Sequence, residues 1–315
     1  IEGTVVVVGS CISNGKNLLY ISRALRKLDK LRIVYFIGIS RTRNKEYLSF
    51  FFFFLKQGNY GSETNSFIEV ETIYCNSNSK NTTWLTEVKF LNDFTDFIKD
   101  ESPESTATIA YLQMRKKLLQ ESSGDKDRGL ADNLFYPRIT ESPYEELKIR
   151  KNFAFFNFDK YDTHVSQSDI YFTISNLINS LRNTEKNDRN LRQSVFVRNI
   201  IDPGNFSRYN DGIIQASILR AANPDELAYY IDSELSQDMY NTFETLIKYH
   251  KDEQGEALVE FLYSIAIKKM TLKRIHVQKI VELIDKTCKE EMFLCFSKYI
   301  KKKLIEEKPL VFSED

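Results

Sequence analysis

The chain has 315 residues, which suffices for two domains or one large domain. Its 44 Lys and Arg residues balance its 44 Asp and Glu residues, and this zero net charge argues against a general role in binding polyanions. Hydrophobic residues make up 42% of the chain and aromatic residues 13%, a composition that supports a packed core and excludes an intrinsically disordered protein.

The cysteines and the longest apolar run indicate where the protein works. Cys11, Cys75, Cys288 and Cys295 are widely spaced and form no CxxC pair. This usage predicts a reducing, cytoplasmic location, with no disulfide framework and no zinc site. The longest apolar run, Phe50 to Leu55, is far shorter than the roughly 20 residues that a membrane span needs, so it predicts a buried helix and no membrane association.

The first 40 residues predict a strand–helix–strand unit. The β-branched run Val5 to Val8 is typical of a strand buried on both faces of a parallel sheet. Helical spacing of apolar residues follows at 15–28, and 32–39 predicts a second buried strand. Since the chain opens with Ile1 directly at a strand, we expect further sequence upstream.

The next elements extend this unit. A helix is predicted at 44–56 and a third strand at 67–75, nearer the edge of the sheet because Glu69 and Glu71 alternate with apolar residues. Together these elements indicate an α/β fold, part of a doubly wound sheet.

The remainder of the chain predicts a mainly helical domain. Loops are expected at 76–84, 120–129 and 134–143 and a helix at 86–99. Asn223 and Pro224 are typical of a helix start, and helical spacing recurs at 256–270 and 275–284. The predicted organisation is an α/β domain at 1–120 that lacks upstream elements, a connecting segment at 121–165, and an α-helical domain at 166–315.

The loop after the first strand has the layout of a phosphate-binding turn. It fits neither a Rossmann fingerprint, since GxGxxG is absent, nor a Walker A loop. Five residues separate Gly9 from Gly15 where Walker A has four, and Asn17 replaces the hydroxyl that would bind the metal.

The same stretch resembles the phosphoribosyl-pyrophosphate motif of type I phosphoribosyltransferases. Val5 to Val8 corresponds to the strand of that motif, Ile12 to Asn17 to its 5′-phosphate loop, and Leu18 to Leu28 to the helix that follows. Arg32 to Ser40 corresponds to the family's next strand, and Arg41 and Thr42 correspond to the residues that directly follow that strand. The resemblance spans about a quarter of the chain, and it implies a phosphoribosyl compound or nucleotide as ligand, with Mg²⁺ accompanying the phosphoribosyl group.

The chemistry of the loop suits an anion. Backbone N–H groups of small residues at a helix N-terminus bind phosphate, and Lys16 adds a positive charge. Side chains of Ser13 and Asn17 add hydrogen-bond donors. The predicted phosphate-binding or nucleotide-binding residues are therefore Ser13, Asn14, Gly15, Lys16 and Asn17.

The sequence departs from the family at the positions that carry its chemistry. The family's paired carboxylates fall on Gly9 and Ser10, so no catalytic residue is assigned and transferase or other glycosyl-transfer activity is left open. Gly15 is compatible with a tight turn as well as with a phosphate contact. Ser10 and Cys11 together could form a hydrolase nucleophile, but GxSxG is absent, and we expect Cys11 to be a small buried residue.

A second polar stretch lies at 202–222. Arg208, Tyr209 and Asp211 precede a helix predicted at 212–222, which Asn210 or Asp211 would cap. These residues form either a polar contact site for a nucleotide or partner, or a capping network that fixes the packing of the helix.

The remaining candidates predict structure rather than chemistry. None of His164, His250 and His276 has a neighbour at metal-ligand spacing, so we expect surface or packing roles and no metal. The basic turn in 298–308 predicts a solvated helix face. The segment 166–182 predicts a helix whose core stripe comprises Ile170, Ile174, Leu177, Ile178 and Leu181.

The stretch "RYNDGIIQASILRAA" at 208–222, followed by Glu226 and Leu227 and by 255–266, resembles the phosphoribosyltransferase-type effector modules of prokaryotic anti-phage systems. That resemblance implies an effector or sensor whose partner is an NTPase or a reverse transcriptase, with nucleic acid contacted only through the partner. The alternative is a non-enzymatic scaffold that keeps a relic nucleotide fold and binds partner proteins through its helical domain.

Overall fold

The computed structural model describes residues 2–12, 15–28, 30–41, 45–56, 64–72, 83–122, 130, 132–139, 144–148, 165–183, 200–209 and 211–306. The chain divides into two compact units, Ile1–Lys80 and Asn81–Asp315. The predicted α/β class is confirmed at this level, as a small parallel sheet in a mainly helical chain. The division falls at residue 80 rather than at the predicted 120, so the described residues 83–120 belong with the helical unit.

The first unit is a three-stranded parallel sheet with two helices. Its elements are β1 (Gly3–Ile12), α1 (Lys16–Leu25), β2 (Leu31–Ser40), α2 (Lys45–Lys56) and β3 (Ser66–Thr72). The strand order is β1-β2-β3, and the register places Val6 opposite Val34 and Val34 opposite Ser66. Residues 73–75 of the predicted third strand lie outside the described residues.

Both helices contribute to a core on one face of this sheet. Crossovers between parallel strands are right-handed as a rule, and two consecutive ones would place α1 and α2 on the same side. The buried residues shared by the strands and helices are Ile12, Leu18, Ile33, Tyr35, Ile37, Phe51 and Leu55. The apolar run of α2 is buried on this side only, because Phe50 and Phe53 are exposed.

The opposite face of the sheet is apolar and exposed, so the prediction of strands buried on both faces is wrong for β1. Val8 is 72% exposed and Val6 57%. The register continues this exposed face through Phe36 of β2 and through Ile68 and Val70 of β3. The prediction was wrong because a continuous run of valines indicates a high β propensity. That propensity does not determine whether both faces of the strand are buried.

The second unit is helical. Its helices are α3 (Thr83–Glu101), α4 (Thr106–Ser122), α5 (Gln167–Asn183), α6 (Gly204–Arg208), α7 (Gly212–Ala221), α8 (Ser233–Lys248), α9 (Leu258–Ala266), α10 (Arg274–Thr287) and α11 (Glu291–Glu306). The α7 and α9 segments are buried along nearly their whole length, whereas helices such as α8 and α10 bury one face.

Two local predictions in the helical unit need correction. Asn223 and Pro224 begin a short 3₁₀ turn, Pro224–Leu227, and the next α-helix starts only at Ser233. Leu177 is 57% exposed although its spacing predicted a core position, while Ile170 and Ile178 are buried. Within the described part of the chain, no helix is both long and apolar enough to cross a membrane.

Candidate functional site

The β1–α1 turn lies at the carboxyl edge of the sheet, where ligands of open α/β folds bind. The backbone N–H of Arg41 donates to the carbonyl oxygen of Ile12 at 2.6 Å, which ties the end of β1 to the end of β2. Gly15 precedes α1 with a φ of 65°, in the left-handed region, and its carbonyl accepts the first helical hydrogen bond from Leu19 at 3.2 Å.

The structure describes three of the five predicted phosphate-binding residues. Ser13 and Asn14 lie outside the described residues. Lys16 and Asn17 are exposed in the first turn of α1, whose leading N–H groups have no partner within the helix. Gly15 is buried. The turn therefore presents a cation, an amide side chain and a helix N-terminus at one place.

Packing gives Gly15 a structural role that needs no ligand. A Cβ atom at this position would lie 2.2 Å from ring atoms of Phe51 on α2. The left-handed φ also disfavours any L side chain there. Both constraints require glycine, so Gly15 by itself does not distinguish a phosphate contact from a tight turn.

The carboxyl end of β1 offers neither the family's acidic pair nor an equipped nucleophile. Gly9 and Ser10 occupy the two acidic positions, and Mg²⁺ prefers carboxylate and other oxygen ligands, so these residues do not fit a metal held by the protein. Cys11 is exposed, contrary to the prediction of a buried residue, and its thiol donates to the carbonyl of Ile12 at 3.9 Å. The first unit contains no histidine that could serve Ser10 or Cys11 as a base.

The second predicted polar site is a helix cap. The Asp211 carboxylate accepts hydrogen bonds from the N–H groups of Ile213 at 3.0 Å and Ile214 at 3.3 Å. Tyr209 accepts from the N–H of Asp211 through its backbone carbonyl at 2.8 Å, and Arg208 is exposed. The structure thus confirms Asp211 as the cap of α7 and supports the capping interpretation of this stretch.

A buried network of charges, which the sequence analysis did not identify, lies at the centre of the helical unit. Arg115 on α4 donates to Glu87 on α3 at 2.7 Å, and Arg220 on α7 lies 2.6 Å from the same carboxylate. Arg220 also donates twice to Glu260 on α9, at 2.7 and 2.9 Å. All four side chains are almost completely inaccessible to solvent, and their charges cancel.

Aromatic rings and a backbone segment complete the network. The guanidinium of Arg220 lies 4.4 Å from the ring centroid of Tyr263 and 4.9 Å from that of Trp84, within the range of cation–π attraction. Arg115 donates to three successive carbonyls at 133–135, at 2.6 to 3.1 Å. The Glu260 carboxylate also accepts the N–H of Tyr136 at 2.7 Å. The contacts of Arg115 and Glu260 with this irregular segment fasten it to α4 and α9.

The electrostatics of the network fit a structural role. Burial raises the pKa of the Glu87 carboxyl, but the charges of Arg115 and Arg220 outweigh burial, so that pKa lies below its ordinary value. Burial raises the pKa of the Tyr263 hydroxyl above its ordinary value. The Glu87 carboxylate therefore stays ionised at neutral pH, and it faces the two guanidinium groups.

Lys269 borders this network with an unusual electrostatic environment. Its ammonium donates to the carbonyl oxygen of Arg220 at 2.8 Å. Burial and the nearby Arg220 charge lower the pKa of Lys269 to about 7. Its protonation in the folded protein therefore changes close to neutral pH.

Two histidines have defined surroundings. His276 is buried, with Nδ1 2.8 Å from the hydroxyl of Ser236. His250 is also buried and lies beside Cys288 and Glu290, with one ligand atom of each within 4.8 Å of the others. Sequence spacing could not show this cluster because His250 is far from Cys288 and Glu290 in the chain. His164 lies outside the described residues.

Comparison of the chain with protein-family models, with curated proteins and with solved structures finds no match.

Proposed function

We propose that the first unit binds a phosphate-bearing ligand, a phosphoribosyl compound or nucleotide, at the β1–α1 turn of residues 12–17. The observation that carries this proposal is the placement of Lys16 and Asn17, exposed in the first turn of α1 at the carboxyl edge of a parallel sheet. The N-terminal end of α1, with its N–H groups and the positive end of the helix dipole, favours an anion at this point.

The protein acts in this proposal as a phosphoribosyltransferase-like effector or sensor of a bacterial anti-phage system. The resemblance of 208–222 to such modules supports it, and that stretch forms one packed unit around α7. Gln215 donates to the carbonyl of Phe206 at 2.8 Å, and Glu256 accepts the N–H of Gly212 at 2.8 Å. The partner in this proposal is the NTPase or reverse transcriptase of the same system.

The doubly wound form of the sheet belongs to the same proposal. A doubly wound sheet carries helices on both faces, whereas α1 and α2 cover one. The exposed apolar face at Val6, Val8, Phe36, Ile68 and Val70 has the character that such a second layer requires.

A non-enzymatic scaffold with a relic nucleotide fold is the second candidate. The observation that favours it is Gly15, whose requirement for glycine is explained by the ring of Phe51 without any ligand. In this case the helical unit, held together by its buried charges, would bind partner proteins.

The thermal unfolding of the full chain decides between these candidates. It is measured with phosphoribosyl pyrophosphate, nucleoside monophosphates and nucleoside triphosphates, each with and without Mg²⁺. A ligand at 100 times its Kd adds about 2.7 kcal/mol of stability. Lys16→Glu should abolish the shift, and Lys27→Glu, an exposed lysine beyond the other end of α1, should preserve it. No shift with any of these ligands supports the relic scaffold.

A further inference from the structure

A cluster of three side chains in the helical unit has the composition of a metal site. His250 follows α8, Cys288 caps the end of α10, and Glu290 immediately precedes α11. All three are largely buried, and their ligand atoms lie within 4.8 Å of one another. Imidazole, thiolate and carboxylate are the three ligand types that Zn²⁺ takes in proteins.

The imidazole of His250 is oriented as a metal ligand. Its Nδ1 lies 2.8 Å from the carbonyl oxygen of Ile247. A carbonyl can only accept a hydrogen bond, so Nδ1 carries a proton and the lone pair of the neutral ring is on Nε2. A ligating histidine commonly has its other ring N–H held by a backbone carbonyl in this way.

The atom that faces Nε2 is itself an acceptor. Oε2 of Glu290 lies 3.1 Å from Nε2 of His250 and also accepts the backbone N–H of Lys289 at 3.0 Å. Two lone pairs directed at each other need a positive species between them, either a second ring proton or a metal ion. A proton would serve the histidine and the glutamate only, whereas a metal ion also accounts for the thiol beside them.

The spacing and the charge agree with zinc. Ligand atoms at Zn²⁺ bond lengths in a tetrahedral site lie about 3.3 to 3.7 Å apart, close to the observed 3.1 Å between His250 and Glu290. A thiolate and a carboxylate neutralise a divalent cation, which suits a buried position. The ammonium of Lys251 contacts the other carboxylate oxygen, Oε1, at 3.2 Å and leaves Oε2 to face the cluster.

We propose that His250, Cys288 and Glu290 bind a zinc ion that joins the turn after α8 to the turn between α10 and α11. The thiol of Cys288 loses its proton to solvent when the ion binds, and water completes the tetrahedron. The site is independent of the ligand proposed for the β1–α1 turn.

Metal analysis of the full-length protein, purified without a histidine tag and dialysed against metal-free buffer, tests the proposal. We expect about one zinc per chain, as for a single site with three protein ligands, and its loss in Cys288→Ser and in His250→Gln. The matched controls Cys295→Ser and His276→Gln change the other buried cysteine and the other buried histidine of the described residues, and both should keep the metal.

A measurement on the wild-type chain keeps the test independent of variant folding. Co²⁺ added to the zinc-free protein should produce a near-ultraviolet thiolate-to-cobalt band, which Zn²⁺ then displaces. A wild-type chain without bound zinc and without that band overturns the proposal. Zinc retained equally by Cys288→Ser and His250→Gln also overturns it, because the ion would then lie elsewhere.

Discussion

The two units of this chain are stabilised in different ways. The first unit buries one side of a three-stranded sheet under two helices and leaves the other side apolar and exposed. The second unit surrounds two arginines and two glutamates with aromatic rings and buried helices. The first unit therefore leaves one face of its sheet exposed, whereas the second is stabilised by the buried charges at its centre. The proposed ligand site lies at the carboxyl edge of the sheet in the first unit.

The largest effect should follow from breaking the buried charge network. Arg220→Met leaves Glu260 as an unpaired buried carboxylate, so we expect a loss of about 3–5 kcal/mol in the free energy of unfolding. Urea denaturation followed by the fluorescence of Trp84, the one tryptophan of the chain, reports on this unit. Asp96→Asn removes an exposed ion pair with Lys99 and should cost less than about 1 kcal/mol. Equal losses in the two variants would contradict a structural network.

Substitution of Gly15 should destabilise the first unit alone. Gly15→Ala adds a Cβ in the left-handed region and against Phe51, which costs at least about 1–2 kcal/mol. Hydrogen exchange of α1 and β2 peptides should rise, while the Trp84 transition stays unchanged. Lys16→Ala, one residue away and exposed, is the control. This expected loss also makes Lys16→Glu a cleaner test of ligand binding than any change at Gly15.

The two units also differ in how much of them the sequence predicted. Apolar spacing identified most helices and strands, since periodicity is a local property. It failed on the burial of β1 and of Leu177, because burial depends on what covers a face. Apolar spacing could not predict the Glu87–Arg220 pair or the His250 cluster, because their members come together only through tertiary packing. At the β1–α1 turn the sequence predicted the strand and the helix but not the contact of Gly15 with Phe51.

Lys269 should make the stability of the helical unit depend on pH. Its folded pKa of about 7 lies below the ordinary 10.5, so between these values the unfolded chain binds a proton that the folded chain does not. Stability attributable to this group therefore rises with pH across that window, by up to about 1.4 kcal/mol per pH unit. The difference between wild type and Lys269→Met in urea titrations at several pH values measures it. If the difference in free energy of unfolding between the two proteins did not change with pH, the lowered pKa of Lys269 would be contradicted.

Loss of the α7 cap should have a smaller effect. Asp211→Ala removes two hydrogen bonds to the helix N-terminus and should cost about 1 kcal/mol. Arg208→Ala, exposed and before the helix, should stay within about 0.5 kcal/mol. If instead Arg208→Ala abolished a ligand-induced shift, the contact-site interpretation of this stretch would replace the capping one.

The smallest effect is expected on the open sheet face. Val8→Thr keeps β-branching at a position that is 72% exposed, so the free energy of unfolding should change by no more than about 0.5 kcal/mol. Hydrogen exchange of β1 peptides measures this change in the full chain. A loss well above about 1 kcal/mol would contradict the exposure of Val8.

Hydrogen exchange of the full chain, with and without phosphoribosyl pyrophosphate and Mg²⁺, reports directly on ligand binding at the β1–α1 turn. It observes both units in one experiment and needs no variant. We expect slower exchange in peptides that span the β1–α1 turn and α1, with α7 and α9 unchanged. Protection confined to the helical unit, or no protection with this ligand or with nucleotides, would contradict a ligand site at the turn.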